Sequence, residues 1–122
     1  MIQIALPYPP TVNTYWRRIQ RGRTPATILS KRGREYREAA VRIASGHKAP
    51  AGRLAVRVDL HPPDKRRRDI DNCAKALLDA LAHAGVFEDD SLIDDLRLVR
   101  CERVKGGAAV VSIRPMGQAL PS

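Results

Sequence analysis

Aromatic bulk is scarce in this 122-residue chain, which holds one Phe, one Trp and three Tyr. A core built from it must rest on Leu, Ile, Val and Ala, and the length suits a single domain, residues 1–122, with a core of modest size. Cysteine is scarcer still. Cys73 and Cys101 cannot form a disulfide framework and lack zinc-ligand spacing, which excludes the disulfide-stapled and zinc-finger classes and suits a reducing compartment. No apolar run approaches the ~20 residues of a membrane span. The segment Met1-Ile2-Gln3-Ile4-Ala5-Leu6 lacks the length and charged lead of a signal peptide. A soluble, cytoplasmic protein with no membrane contact is expected. Also absent are a Gly-rich phosphate loop, an internal repeat and a low-complexity tract. His47, His61 and His83 are scattered without metal-ligand spacing and read as structural or surface residues.

Acid is missing from one half of the chain. The first fifty residues carry ten Lys/Arg against Glu35 and Glu38 alone, whereas the remainder carries twelve against eleven acids. The net charge of +9 points to a polyanionic partner. Ten of the thirteen acids fall between Asp59 and Asp95. A purely basic binder gains nothing from carboxylates beside phosphates, so some of these acids are expected to act.

Ile2 to Leu6 alternate and stop at Pro7-Tyr8-Pro9-Pro10, which reads as a short strand. Residues 7–31 show no sustained period and read as a long, irregular basic loop carrying Arg17, Arg18, Arg21 and Arg23. Tyr36, Ala39/Ala40 and Ile43 recur at helical spacing over roughly 32–45, with Ser30 as cap and Gly46 as stop. Leu54, Val56, Val58 and Leu60 alternate in a strand that His61-Pro62-Pro63 ends. Ile70, Cys73/Ala74, Leu77 and Leu81 mark a second helix from about 69 to 84, with Asp69 as N-cap and Asp71, Lys75 and Asp79 on its polar face. Ile93 to Val104 suits a further strand, Lys105-Gly106-Gly107 a hairpin turn, and Ala108 to Ile113 a last strand before a frayed tail over 117–122. The order β-α-β-α-β-β, with two main helices and a mixed sheet, makes this an α/β (α+β) fold.

The densest chemistry lies in Lys65-Arg66-Arg67-Arg68 followed by Asp69-Ile70-Asp71-Asn72. Arginine forks bind phosphate oxygens bidentately, so the run suits a nucleic-acid backbone, although such runs are also plain solvated loops. Carboxylates beside phosphates repel them unless a cation intervenes, and a D-x-D pair attracts a hard divalent ion. Asp69 and Asp71, with Asp90 or its neighbour Asp89 as third oxygen ligand, therefore read as a metal-dependent nuclease site. The bland alternative makes Asp69 a cap and pairs Asp71 with Lys75 at i,i+4. Lys75, one turn beyond Asp71, is placed to stabilise charge on a phosphoryl transition state. Tyr15 and Trp16 either stack on splayed bases or pin the loop to the core. Cys73 falls on the apolar stripe.

Taken together, these residues resemble the RusA family of Holliday junction resolvases. The likeness runs through Leu6-Pro7-Tyr8-Pro9-Pro10-Thr11-Val12-Asn13, Arg21-Gly22-Arg23-Thr24, the stretch from Lys65 to Asn72, Lys75, Asp79-Ala80-Leu81, Ala84-Gly85-Val86-Phe87, Asp89-Asp90 and Lys105-Gly106-Gly107. It implies Mg²⁺-dependent cleavage of four-way DNA junctions by a homodimer (Mn²⁺ as a substitute ion, no small-molecule cofactor) and a phage or prophage association. By motif it places the acidic site at Asp69, Asp71 and Asp90, with Lys75 beside it. Lys65 and Thr11-Val12 depart from the family pattern without touching those ligands. The residues alone reach only a Mg²⁺-dependent enzyme acting on nucleic acid. They leave a non-catalytic DNA-binding protein, or a nuclease without junction preference, as alternatives.

Overall fold

The computed structural model describes residues 1–117. Its elements are β1 (Ile2–Leu6), α1 (Val12–Tyr15), β2 (Trp16–Arg21), β3 (Thr24–Leu29), α2 (Lys31–Ala44), β4 (Leu54–His61), α3 (Asp71–His83), a 3₁₀ turn at Asp90–Leu92, β5 (Ile93–Arg100) and β6 (Ala108–Pro115). The expected strands and both main helices are present within a few residues of their expected bounds. The expected fraying of the tail lies outside the described residues, apart from Gly117.

Four strands form one mixed sheet in the order β1-β6-β4-β5. β4 runs antiparallel to β6 and parallel to β5, with α3 as the crossover between the parallel pair. α2 and α3 pack on one face of the sheet. Ile4, Leu6, Val56, Val58, Leu60, Leu77, Leu81, Val111 and Ile113 make the core there, joined by Tyr15, Tyr36 and Phe87. Aliphatic side chains thus carry most of the core, as the composition requires, and Tyr15 is its one fully buried aromatic.

Three expectations are corrected. Residues 7–31 are not an irregular loop. α1 leads into a β2–β3 hairpin whose register runs from Trp16↔Leu29 to Arg21↔Thr24. Its two-residue loop is Gly22-Arg23, with Gly22 at φ +60, the first-position glycine that a II′ turn reserves. The period was hidden because a two-stranded ribbon has no fully buried face, so its alternation carries little apolar contrast.

The turn at Lys105-Gly106 does not join hairpin partners. β5 ends at Arg100, and residues 101–107 cross the end of β4 so that β6 enters between β1 and β4. β4 is buried on nearly its whole length, which demands a central position. β5, with Asp94, Leu96 and Arg97 exposed, takes the edge. Finally, Asp69 does not cap α3. Ile70 holds the N-cap position in αR geometry, without a side-chain cap bond, and Asp69 only accepts at its backbone carbonyl from Asn72 N at 3.2 Å. Its carboxylate has no hydrogen-bond or ion-pair partner among the described residues.

Candidate active site

The basic run 65–68 joins β4 to α3, and its Arg66, Arg67 and Arg68 line a groove of about 600 Å³ together with Tyr8, Pro9, Thr11, Thr14, Arg32, Asp69 and Asn72. The four cations are not equivalent. Lys65, Arg66 and Arg67 are exposed. Arg68 is tied down: it grips Asp64 at both oxygens, at 2.6 and 3.2 Å, lies over the Tyr8 ring at 5.7 Å, and accepts at its backbone carbonyl from the Arg100 guanidinium. The Arg68 fork holds the Asp64 carboxyl down at about 2, with the Arg66 backbone N–H adding to the effect. Burial pushes the Tyr8 phenol up to about 12. Arg68 therefore shapes the groove wall, while Arg66 and Arg67 point charge into solvent.

At the groove's end stand the acids. Asp69 and Asp71 are exposed, and among the described residues neither carboxylate has a hydrogen-bond or ion-pair partner. Lys75 does not pair with Asp71. Its Nζ reaches Asp90 Oδ2 at 3.5 Å, because the chain after α3 doubles back along the helix before β5. Asp89 turns elsewhere and accepts from Ser91 Oγ at 3.0 Å, a bond that lowers its carboxyl below the ordinary value. Of the two neighbours, Asp90 faces α3. Asp69, Asp71, Lys75 and Asp90 thus gather about the first turns of one helix.

Asp79, two turns further on, leaves that polar face. Its Oδ2 accepts from Tyr15 Oη and from Arg37 Nη2, the latter at 2.7 Å. Burial and the bond to Asp79 push the Tyr15 phenol up to about 12. This clamp joins α1 to α2 and α3. Ser30 Oγ accepts from Gly33 N at 2.9 Å, capping α2, and donates to the Tyr15 carbonyl at 3.1 Å. A Cβ on Gly33 would fall well inside van der Waals contact with that carbonyl and 3.2 Å from Leu29 Cδ2, so only glycine lets α2 approach this closely. The base of the basic hairpin is therefore fixed to the helix that carries the acids.

The hairpin cations do not form one surface. Residues two apart on a strand share a face, so Arg18 lies on the side of Trp16, while Arg17 and Arg21 lie on the other and Arg23 sits in the loop. Sequence reasoning missed the clamp residues Asp79 and Arg37, and the bound state of Arg68; each depends on a partner that spacing does not reveal.

The profile described as Endodeoxyribonuclease RusA matches residues 7–114, from the proline that follows β1 to the last strand. This chain belongs to the RusA family. It is 43% identical to the crossover junction endodeoxyribonuclease rusA of Enterobacteria phage HK97, across 91% of this chain and 92% of that one. The same-named proteins of Enterobacteria phage 82 and of Escherichia coli K12 are 41% and 40% identical, each across 93% of this chain and 94% of theirs.

The candidate site offers carboxylate oxygen only, the donor set of hard divalent cations. That chemistry fits, and so does the lack of a cation on Asp69 and Asp71 among the described residues. The spacing does not: among the described residues, no three His, Cys, Asp or Glu side chains stand within reach of one ion, and Asp90 is turned to Lys75. No helix among the described residues is long and apolar enough to cross a membrane.

Proposed function

We propose that this chain is a structure-selective endodeoxyribonuclease that resolves four-way DNA junctions by paired phosphodiester hydrolysis, acting as one RusA-type domain within a homodimer. The observation that carries the reading is a pair of carboxylates without a partner among the described residues: Asp69, which lines the basic groove, and Asp71, on the helix whose Lys75 reaches Asp90. In a protein of charge +9, acids left without a cation beside a polyanion's path repel the ligand unless something positive joins them. Mg²⁺, with Mn²⁺ as a substitute, would supply that charge and the Lewis acidity that phosphodiester hydrolysis draws on; Asp69 and Asp71 would hold it, with Asp90 joining them only on leaving Lys75.

The chain's own residues supply the rest. Arg66 and Arg67 hold backbone phosphates, and Arg68 with Tyr8 keeps the wall in place. Lys75 is within reach of negative charge developing on the phosphoryl oxygens once Asp90 no longer occupies it. One chain carries one acidic constellation, whereas resolving a near-two-fold junction takes two incisions, so a symmetric dimer supplies the second. The protein is placed in the cytoplasm, where its DNA is.

The test is incubation with a synthetic four-way junction and a sequence-matched duplex, each with Mg²⁺ or with EDTA. Paired nicks in the junction alone, lost in EDTA, are expected. Equal cleavage of both substrates would leave a nuclease without junction preference, and tight binding without cleavage would leave a DNA-binding protein.

A further inference from the structure

We infer that a second cavity, on the far side of α1 from the acidic groove, receives an unpaired nucleobase. It measures about 500 Å³ and is lined by Val12, Asn13, Trp16, Arg18 and Thr27. The inference rests on the reading of this protein as one that binds DNA, and adds to it the place where a base leaves the stack.

Three observations converge. Tyr15 and Trp16 divide two tasks: Tyr15 is wholly buried and bonded to Asp79, whereas Trp16, held edge-on to it at 5.1 Å and 85°, stays half-exposed on the cavity wall. The hairpin register sets Arg18 and Thr27, directly paired, on the same face as Trp16. And the Asn13 amide, the Trp16 indole N–H and the Arg18 guanidinium all lack an intramolecular partner among the described residues. An aromatic plane, an amide that both donates and accepts, and a planar cation are what a base's face and edge require. A phosphate would need only the cation.

The position also suits a base rather than a free small molecule. α1 is the shared wall: Thr11 and Thr14 line the acidic groove, Val12 and Asn13 the cavity behind it. A four-residue helix is roughly 6 Å long at ~1.5 Å per residue. That is one to two nucleotides at ~3.4 Å along a strand. A strand lying in the groove can therefore place a base from the next nucleotide or two behind α1, which favours DNA whose bases are already unpaired, as at a branch point.

Trp16 is the chain's only tryptophan, so its emission reports on this cavity alone. The full-length protein is titrated in EDTA with labelled oligothymidylate, with a four-way junction and with blunt duplex, reading label anisotropy and Trp16 emission together. Saturable quenching by oligothymidylate and by the junction, and none by duplex, is expected. Trp16→Leu and Asn13→Ala should each weaken oligothymidylate binding about tenfold, with Trp16→Phe restoring most of it. Asn13 is exposed, so its variant guards against loss of folding in Trp16→Leu. Oligothymidylate that fails to bind at micromolar concentration overturns the inference, as does binding with unchanged Trp16 emission and wild-type affinity in Asn13→Ala. Junction cleavage in Mg²⁺, measured on the same preparation, separates the two readings. Cleavage without a Trp16 response removes the base site alone, and a Trp16 response without cleavage removes the nuclease and leaves the site.

Discussion

Replacing Asp79 by alanine should cost this protein much of its stability, although Asp79 shares its helix with Asp71, whose replacement should cost almost none. Among the described residues Asp79 Oδ2 is the only acceptor for the hydroxyl of Tyr15, a residue with no exposed surface, and it also accepts from Arg37 at 2.7 Å. Without it the Tyr15 hydroxyl is buried and unsatisfied, a cost of about 1–3 kcal/mol. Arg37 loses its carboxylate partner too, and its buried Nε already has none among the described residues. Because the Arg37 and Asp79 side chains remain 23% and 28% exposed, that loss falls below the 3–5 kcal/mol of a fully buried pair. The sum is about 3 kcal/mol, a fall in Tm of roughly 10–15 °C for a chain of this length. Tyr15→Phe should cost less, since the carboxylate keeps Arg37. The double variant should then be less destabilised than the two single effects added, because the stranded hydroxyl is gone. Thermal and urea unfolding followed by circular dichroism measures all three. A Tm within about 2 °C of wild type for Asp79→Ala, or strict additivity across the cycle, would refute the clamp.

Asp69→Asn, Asp71→Asn and Asp90→Asn should each abolish Mg²⁺-dependent cleavage, with junction binding kept or tightened because negative charge beside phosphate is removed; near-wild-type cleavage in any two would sink the site. Arg66→Ala with Arg67→Ala should flatten the log–log dependence of junction affinity on salt by roughly 0.9 per lost phosphate contact, while Arg68→Ala, releasing Asp64 and Tyr8, should alter groove shape with a smaller change of slope; equal slopes for all three would overturn that division. Lys75→Ala should slow cleavage at saturating Mg²⁺ by about 10²-fold, the scale of a lost transition-state charge contact, with Tm almost unmoved because an exposed pair contributes under about 1 kcal/mol. In alkali, Tyr8 and Tyr15 keep their protons to about 12 through burial, whereas the unfolded chain loses them near 10. The unfolded state then binds fewer protons, so stability is full below about pH 10 and falls as pH rises toward 12. Phenolate absorbance should appear together with loss of ellipticity, and phenolate forming at pH 10 in a folded protein would contradict this.

What could be read in advance follows the reach of each signal. β1, α2, β4 and α3 carry strong periods because each has one face or stripe in the core, and the acids and Lys75 were legible since the first turns of α3 bring three of them together by local geometry alone. Asp90 reached them through a chain reversal that only its acidity hinted at. The β2–β3 ribbon was illegible by period, although Arg21-Gly22-Arg23-Thr24 held its turn. Gly106-Gly107 marked a real turn, but neighbours in a sheet are not neighbours in sequence, and nothing local told β6 to enter beside β4. Asp79 and Arg68 look like their solvated counterparts. Their roles come from Tyr15, sixty-four residues distant from Asp79, and from the Tyr8 ring beneath Arg68.

The order of the sheet has a bearing on when the protein becomes dangerous to DNA. Among the described residues β1 pairs only with β6, from Ile2↔Ile113 to Leu6↔Ala109. β4 can pair with β5 beforehand, but its other edge stays open along its whole length until β6 arrives. A nascent chain emerging from the ribosome has every acid of the site once residue 90 is out, yet its first strand has no partner until the final one arrives. The groove's Tyr8 and Pro9 hang from β1, so they take their place only on completion. Synthesis itself would thus act as a safety catch: an unfinished copy holds Asp69, Asp71 and Asp90 without the frame that positions the groove beside them.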